Sequence, residues 1–425
     1  MLITLRAGRD WAETSTDKRS PRVLLATSAT WFNATRLALS LNEAGFRVEA
    51  VCLNRHSLGR VGFVERTYAF NPLRPQASLE AAILQARPAI IVPCDDQVAA
   101  MLHRMSANAD LQTTDGAALR ALIARSLGAP EVFGILHSRN DIMRIAGEAG
   151  LRRPETAVIA DSAALTRWLG ERGFPAVLKT DGSWGGQGVI IVKDYAEAQR
   201  AFERLSRRPN PIRIAKRLLV KGDAGSLMDI LARRPLVVSV QTFEPGRPGN
   251  AAVACMNGEV LAAVYAEVIR SKGQTGPATV VHVLEHPQMA HAVETMVRRL
   301  DLSGFVGFDF VLGPGGASLI ELNPRATPTC HLATVDGLDL SAALSASLRN
   351  RPRRKPKAAQ SSRVVALFPQ EMLRDPASGF LTGSHHDVPW QSPELVALGM
   401  QATVRNPLRL PRFARANRGS GLLKA

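Results

Sequence analysis

Residues 305–325, FVGFDFVLGPGGASLIELNPR, constrain this chain more than any other stretch. Two apolar, β-favouring runs flank Pro314-Gly315-Gly316, which is turn chemistry, so the segment reads as a β-hairpin. Within it lie two carboxylates, Asp309 and Glu321, and an amide, Asn323. Side chains alternate across a strand, which puts Glu321 and Asn323 on one face, with Asp309 able to face them from the partner strand. Two carboxylates and an amide oxygen form a hard-oxygen set of the kind that holds Mg²⁺ when the ion is also bound to substrate phosphates. Arg325 follows at once, a forked cation beside this candidate metal–phosphate site.

A phosphate-bearing substrate needs further contacts, and the chain offers a second candidate upstream. The strand PAVLKT ends at Lys179-Thr180 and enters Asp181–Gly188, DGSWGGQG, before a second strand, GVIIVKD. Gly182, Gly185, Gly186 and Gly188 let backbone N–H groups approach and cradle phosphate oxygens, and Lys179 is placed to reach the same anion. No GK[ST] follows and no helix comes directly after, so this is not a Walker A loop. In the loop RSKGQTGP, Arg270 or Lys272 is a candidate contact for a phosphate or a substrate carboxylate.

The N-terminal third reads as α/β. RVLLATSA (22–29) is a buried strand, 30–45 has helical periodicity ending at Gly45, and FRVEAVCL is a second strand, so a βαβ unit and a parallel sheet are expected. Its first turn, ATSATWFN, contains no glycine, which excludes the dinucleotide fingerprint. PAIIVPC is another buried strand; Asp95-Asp96 after it read as a helix cap and a first-turn acid, with a ligand contact at the carboxyl end of the strand as the alternative. Ser138 with Asp141 predicts a helix start, and Gly150 its end. Asn257-Gly258 predicts a hairpin turn, 287–300 a helix, and 338–348 another.

Composition matters for the choice of partner. The net charge is +16, with 53 Lys+Arg against 37 Asp+Glu, which suits nucleic acid or an enzyme that handles phosphates and carboxylates. Aromatics are only 5%, which disfavours base-stacking platforms. The run RNRPRRKPK (349–357) is dense in cations and carries two prolines, and reads as a solvated linker. Cys52, Cys94, Cys255 and Cys330 form no CxxC pair, as expected of reduced thiols rather than a zinc site. No apolar run has the length of a signal core or a membrane span, so a cytoplasmic protein with no membrane partner is expected.

Taken together, the strand–lysine–glycine-loop–strand pattern, the later paired strands, and Asp309 with Glu321-x-Asn323-x-Arg325 resemble the ATP-grasp superfamily. The chain looks closest to its branch with biotin carboxylase, carbamoyl-phosphate synthetase and amino-acid ligases. The resemblance covers about residues 22–340. It implies an α/β and α+β architecture, with a Rossmann-like pre-ATP-grasp domain at 22–130 and a two-lobed ATP-grasp domain at 131–348 whose flexible lid is about 155–240. A leader, 1–21, and a basic linker with a C-terminal extension, 349–425, lie outside that core.

By this similarity Lys179 contacts the ATP phosphates, and Ser183, Gly185, Gly186 and Gly188 form the flexible cover. Gln241, Thr242 and Phe243 line the adenine hinge. Asp309, Glu321 and Asn323 bind Mg²⁺ or Mn²⁺, and Arg325 holds phosphate or substrate. Arg139 stands where relatives more often carry lysine, and Gln187 where many carry arginine. The implied reaction activates a small carboxylate as an acyl phosphate at the expense of ATP and couples it to an amine, with Arg325, Lys179 and Arg270 as the candidate catalytic cations. A bicarbonate-using carboxylase or carbamoyl-phosphate-type enzyme is the alternative chemistry. A non-catalytic ATP- or nucleic-acid-binding protein is the alternative class. A homodimer is compatible with the resemblance, and nucleic acid is not the expected partner.

Overall fold

The computed structural model describes residues 20–180, 188–207, 237–273, 276–352 and 363–404. The chain begins with β1 (Arg22–Ala26), α1 (Phe32–Glu43), β2 (Arg47–Cys52), β3 (Arg66–Ala69), α2 (Pro75–Ala86) and β4 (Ile90–Pro93). These four strands pair in parallel in the order β3-β2-β1-β4, the Rossmann-like sheet expected from the βαβ pattern. Val23, Leu24, Leu25 and Ala26 are fully buried, as expected of a parallel strand covered on both faces. α3 (Asp96–Ala107), α4 (Thr114–Leu127) and α5 (Arg139–Glu148) follow. Asp95 caps α3 through Val98 N–H at 2.9 Å, and Ser138 caps α5 through Asp141 N–H at 3.2 Å.

A second sheet, order β5-β8-β6-β7, is antiparallel. It comprises β5 (Thr156–Ile159), β6 (Ala176–Thr180), β7 (Val189–Val192) and β8 (Val238–Thr242), with α6 (Ser162–Arg172) and α7 (Tyr195–Ser206) packed on it. It has an apolar cluster of its own, built from Ile159, Leu165, Trp168, Leu169, Leu178 and Val240 among others.

The third sheet is the largest, in the order β13-β12-β9-β10-β11-β14-β15. It contains β9 (Arg247–Met256), β10 (Glu259–Ser271), β11 (Ala278–Val283), β12 (Gly304–Gly313), β13 (Gly316–Asn323), β14 (Arg363–Ala366) and β15 (His385–His386). The β9–β10 turn is Asn257-Gly258, with φ 48° and 73°, the left-handed pair that an Asn-Gly hairpin supplies. One face packs with α8 (Pro287–Arg299) through Phe308, Phe310, Met289 and Met296. The other face buries Ala252, Ala254 and Phe305 against Leu37 and Leu41 of α1 and Leu344 of α9 (Leu340–Leu348).

Both of these clusters also take residues from the parallel sheet, so no separate core ends at residue 130. Gly128 bridges to Leu302 there, with φ 107° and a virtual Cβ only 2.2 Å from the Asp301 carbonyl oxygen, so a side chain is excluded.

The C-terminal segment joins the large sheet: β14 pairs antiparallel with β11, and Leu367 and Phe368, in the apolar run after residue 363, are 0% and 1% exposed. α10 (Gln370–Arg374) and α11 (Pro393–Val404) extend this layer. Arg349, read as part of a solvated linker, instead donates to the Gly45 carbonyl oxygen just beyond α1, where a cation suits the helix C-terminus. Among the described residues no helix is long and apolar enough to cross a membrane.

Candidate active site

β12 and β13 pair in a register that sets Asp309 directly opposite Glu321 and Gly307 opposite Asn323. Directly opposed residues share a face, so the three groups meet as their spacing suggests. Asn323 Nδ2 donates to Asp309 Oδ2 at 3.0 Å, and Asn323 Oδ1 accepts from the Arg325 guanidinium at 3.3 Å. Gly307 lacks a side chain for a reason: a Cβ there would stand 2.2 Å from Thr327 Cγ2, so glycine admits the loop that follows the motif.

Three cations converge on this pair. Arg139, the first residue of α5, donates to Glu321 Oε1 at 2.7 Å. Lys179, near the end of β6 and only 5% exposed, exerts a favourable field on both carboxylates. Arg325 is buried as well, and its Nε donates to Asp96 Oδ1 at 2.8 Å. Burial opposes the Arg325 cation, yet Asp96, Asp95 and Asp309 outweigh it and raise its pKa above the usual arginine value.

The two carboxylates respond differently. Burial and the neighbouring Glu321 charge push Asp309 above the usual range. Burial pushes Glu321 the same way, but Arg139, Lys179 and Arg325 prevail and hold it below. A half-buried carboxylate whose charge is still disfavoured beside Arg325 and Lys179 is a site that gains from a further cation on its open side. Among the described residues no cluster of three or more His, Cys, Asp or Glu gathers to hold a metal. The set here is two carboxylates and an amide, which suits Mg²⁺ completing its shell with substrate phosphates and water.

The remaining candidates divide. Gly188 lies at the entrance to β7 and its carbonyl accepts from Thr180 N–H at 3.1 Å, while Ser183, Gly185, Gly186 and Gln187 fall outside the described residues. Gln241 is buried in the small sheet and donates to Thr156 Oγ1 at 3.0 Å. The Thr242 hydroxyl accepts from Glu155 N–H at 3.0 Å, which commits it to the backbone. Phe243 leaves β8 with 37% of its surface exposed, at the connection into the large sheet, and so presents a ring where a hinge would. Arg270 is not gathered with these groups. It is exposed on β10, donates to the Ile269 carbonyl at 2.9 Å and stacks its cation 5.4 Å from the Phe380 ring.

Asp96 does more than open the helix, since it anchors Arg325 across 229 residues of sequence. The available signal was its place at the carboxyl end of a parallel strand. Asp95 accepts from Ser28 N–H at 2.6 Å and from the Thr27 and Ser28 hydroxyls at 3.0 Å. A carboxylate therefore fills the β1–α1 turn, the place a phosphate takes in dinucleotide-binding βαβ units.

Residues 151–329 match the ATP-grasp domain family. The carbamoyl phosphate synthase large chain of Kocuria rhizophila is 22% identical over 307 residues, covering 70% of this chain and 25% of its own length. The arginine-specific large chain of Bacillus subtilis is 23% identical over 199 residues, 47% of this chain and 18% of its own. The chain thus spans a quarter or less of the length of these curated relatives.

Two solved structures share the fold. The biotin carboxylase domain of Hydrogenobacter thermophilus 2-oxoglutarate carboxylase, a dimer in complex with MgADP, ADP and bicarbonate, superposes with a TM-score of 0.56 at 15% identity, covering 81% of this chain and 73% of that one. N5-carboxyaminoimidazole synthase of Aspergillus clavatus, in complex with ADP and 5-aminoimidazole ribonucleotide, gives 0.58 at 11% identity, covering 82% and 81%.

Proposed function

We propose, on the premise that this chain is an ATP-grasp protein through residues 151–329, that it is an ATP-dependent ligase that activates a carboxylate as an acyl phosphate and joins it to an amine. The observation that carries this reading is the convergence of Arg139, Lys179 and Arg325 on the Asp309–Glu321–Asn323 set, from three separate parts of the chain. Phosphoryl transfer asks the protein mainly for positioning and charge stabilisation, which such a set supplies without a nucleophilic side chain. Mg²⁺, or Mn²⁺ in its place, would supply neutralisation of the phosphate charge there.

The chain's own residues do the rest. Glu321, Asp309 and Asn323 would hold the metal, and Lys179 and Arg139, already gathered on these carboxylates, would bear on the nucleotide phosphates. Arg325, fixed in orientation by Asp96 and Asn323, presents its outer N–H groups to the transferred phosphoryl or the substrate carboxylate. The small sheet, with its own apolar core, acts as the lobe that closes over the nucleotide, with Phe243 at its hinge. The acid and amine are small molecules. The bicarbonate seen in the Hydrogenobacter domain belongs in the set of acids to be tried.

The deciding measurement is ADP and phosphate release with Mg²⁺ATP, screened against amino acids, small carboxylates and bicarbonate, with mass spectrometry of any coupled product. Acid-dependent ADP release with a condensed product is expected. ATP turnover indifferent to every acid, or no nucleotide binding, would overturn the assignment.

A further inference from the structure

Arg36, His331 and Asp387 form a buried cluster that the phosphoryl site does not use. Three distant parts of the chain supply it: α1, the loop after β13, and the residue following β15. Asp387 Oδ2 accepts from His331 Nε2 at 2.7 Å, and Oδ1 accepts from the Arg36 guanidinium. The three side chains are 12%, 5% and 6% exposed for Asp387, His331 and Arg36. Burial acts to raise Asp387, but His331 and Arg36 outweigh it and hold the carboxyl below its usual range. An ionised carboxylate only accepts, so His331 Nε2 is the donor in this contact. Nδ1 makes no hydrogen bond among the described residues.

A chain of contacts through β9 links the cluster to the phosphoryl site. Asn250 pairs directly with Asp309 across β9 and β12, so the two side chains share a face. Thr329 Oγ1 reaches Asn250 Oδ1 at 3.3 Å, and His331 is two residues further along the same loop. α1, which carries Arg36, packs on that face too. A histidine held through one nitrogen by a carboxylate, with its other nitrogen unengaged, has the arrangement of a general base.

We propose that His331, oriented by Asp387 and Arg36, is the base of an amine subsite, taking a proton from an ammonium substrate for its attack on the acyl phosphate. The inference rests on the ligase reading above. One ammonium proton passes to Nδ1, and the freed nitrogen pair forms the C–N bond. The C–O bond to phosphate breaks with its electrons on the leaving phosphate, which takes up the second proton, and the imidazolium returns its own to solvent. The substrate class is a primary ammonium, such as ammonia or the α-amino group of an amino acid.

Hydroxylamine provides the test, because it is neutral near pH 7 and attacks acyl phosphates without first losing an ammonium proton. Wild type, His331→Asn and Asp387→Asn are supplied with Mg²⁺ATP and the standard amino acids with common mono- and dicarboxylates as acids. Hydroxamate and amide formation are both measured from pH 6 to 9. His331→Asn is expected to keep hydroxamate formation and to lose amide formation by about 10²–10⁴-fold near neutrality, recovering as the pH approaches the ammonium pKa. Asp387→Asn should lie between the two. Equal loss of both products in His331→Asn, or unchanged amide formation, overturns the assignment.

A measurement on wild type alone guards against variants that misfold. With a protein base the amide rate levels off well below the ammonium pKa, whereas a tenfold rise per pH unit up to the ammonium pKa would show free amine acting unaided and overturn the proposal. The other titratable or charged groups near the cluster are Arg36, His385, His386, Cys330 and, through His386, Glu371. The hydroxamate profile reports their effects in common. If wild type forms hydroxamate from no acid, the ligase reading itself fails, and the base falls with it.

Discussion

Glu321 is the residue on which the site turns, because it meets Asp309 across the hairpin and Arg139 from α5 at once. Glu321→Gln keeps the side chain's size and one oxygen acceptor, so the hairpin and the Arg139 contact survive. On the proposed function, what is lost is a formal negative charge on the metal, which matters most when the phosphoryl group is in transfer. Turnover is expected to fall on the order of a hundredfold, about 3 kcal/mol in the transition state, while nucleotide affinity changes little. ADP release across a magnesium series reads this out, with circular dichroism as the folding control. Near-wild-type turnover at low magnesium would move the metal site elsewhere.

Two elements make predictions about stability. The 3-10 turn Ser57–Arg60 is capped by His56, whose Nδ1 accepts from Leu58 N–H at 3.0 Å. Burial lowers the His56 pKa to about 4, against a weaker opposing contact from the Trp31 carbonyl. As the pH falls, the unfolded chain takes up this proton first, so the folded state is fully favoured above about pH 6.5 and loses stability down to about pH 4. The contribution is about 3 kcal/mol. His56→Asn, which retains an acceptor near the Nδ1 position, should flatten that part of a thermal-melt series against pH; an unchanged slope would acquit His56. At β14 the apolar core continues into Phe368, 1% exposed and edge-on to Phe32 with centroids 6.2 Å apart. Phe368→Ala should cost about 3–5 kcal/mol in denaturant unfolding. A loss below about 1 kcal/mol would mean that the C-terminal layer adds little to the core.

Over the whole molecule, a net charge of +16 raises the question of a polyanionic partner. The cations from Arg351 to Lys357 are the densest run, and only its first residues are described. Arg349 stands apart because it holds the end of α1. Replacing Arg351, Arg353, Arg354, Lys355 and Lys357 with Gln should leave ATP turnover within about twofold, since ionic effects fall off over about 10 Å at 0.1 M salt. Tight, salt-sensitive nucleic-acid binding that disappears with those charges would give the run a different purpose.

The sequence by itself determined what is local. The hairpin with its facing Asp309, Glu321 and Asn323 is legible because strand alternation and turn chemistry act over a few residues. The same holds for the βαβ start, the capped α5 and the Asn257-Gly258 turn. Lys179 is readable as a strand-end cation, though not its burial beside the carboxylates. Only the tertiary structure decided which groups meet across long separations: Arg139 with Glu321 over 182 residues, Arg325 with Asp96 over 229, Arg36 with Asp387 over 351. It also decided that four residues, Arg363–Ala366, join the large sheet by pairing with β11. Such a short apolar run reads the same in a tail as in a core, because its partner strand, not its own pattern, supplies the hydrogen bonds.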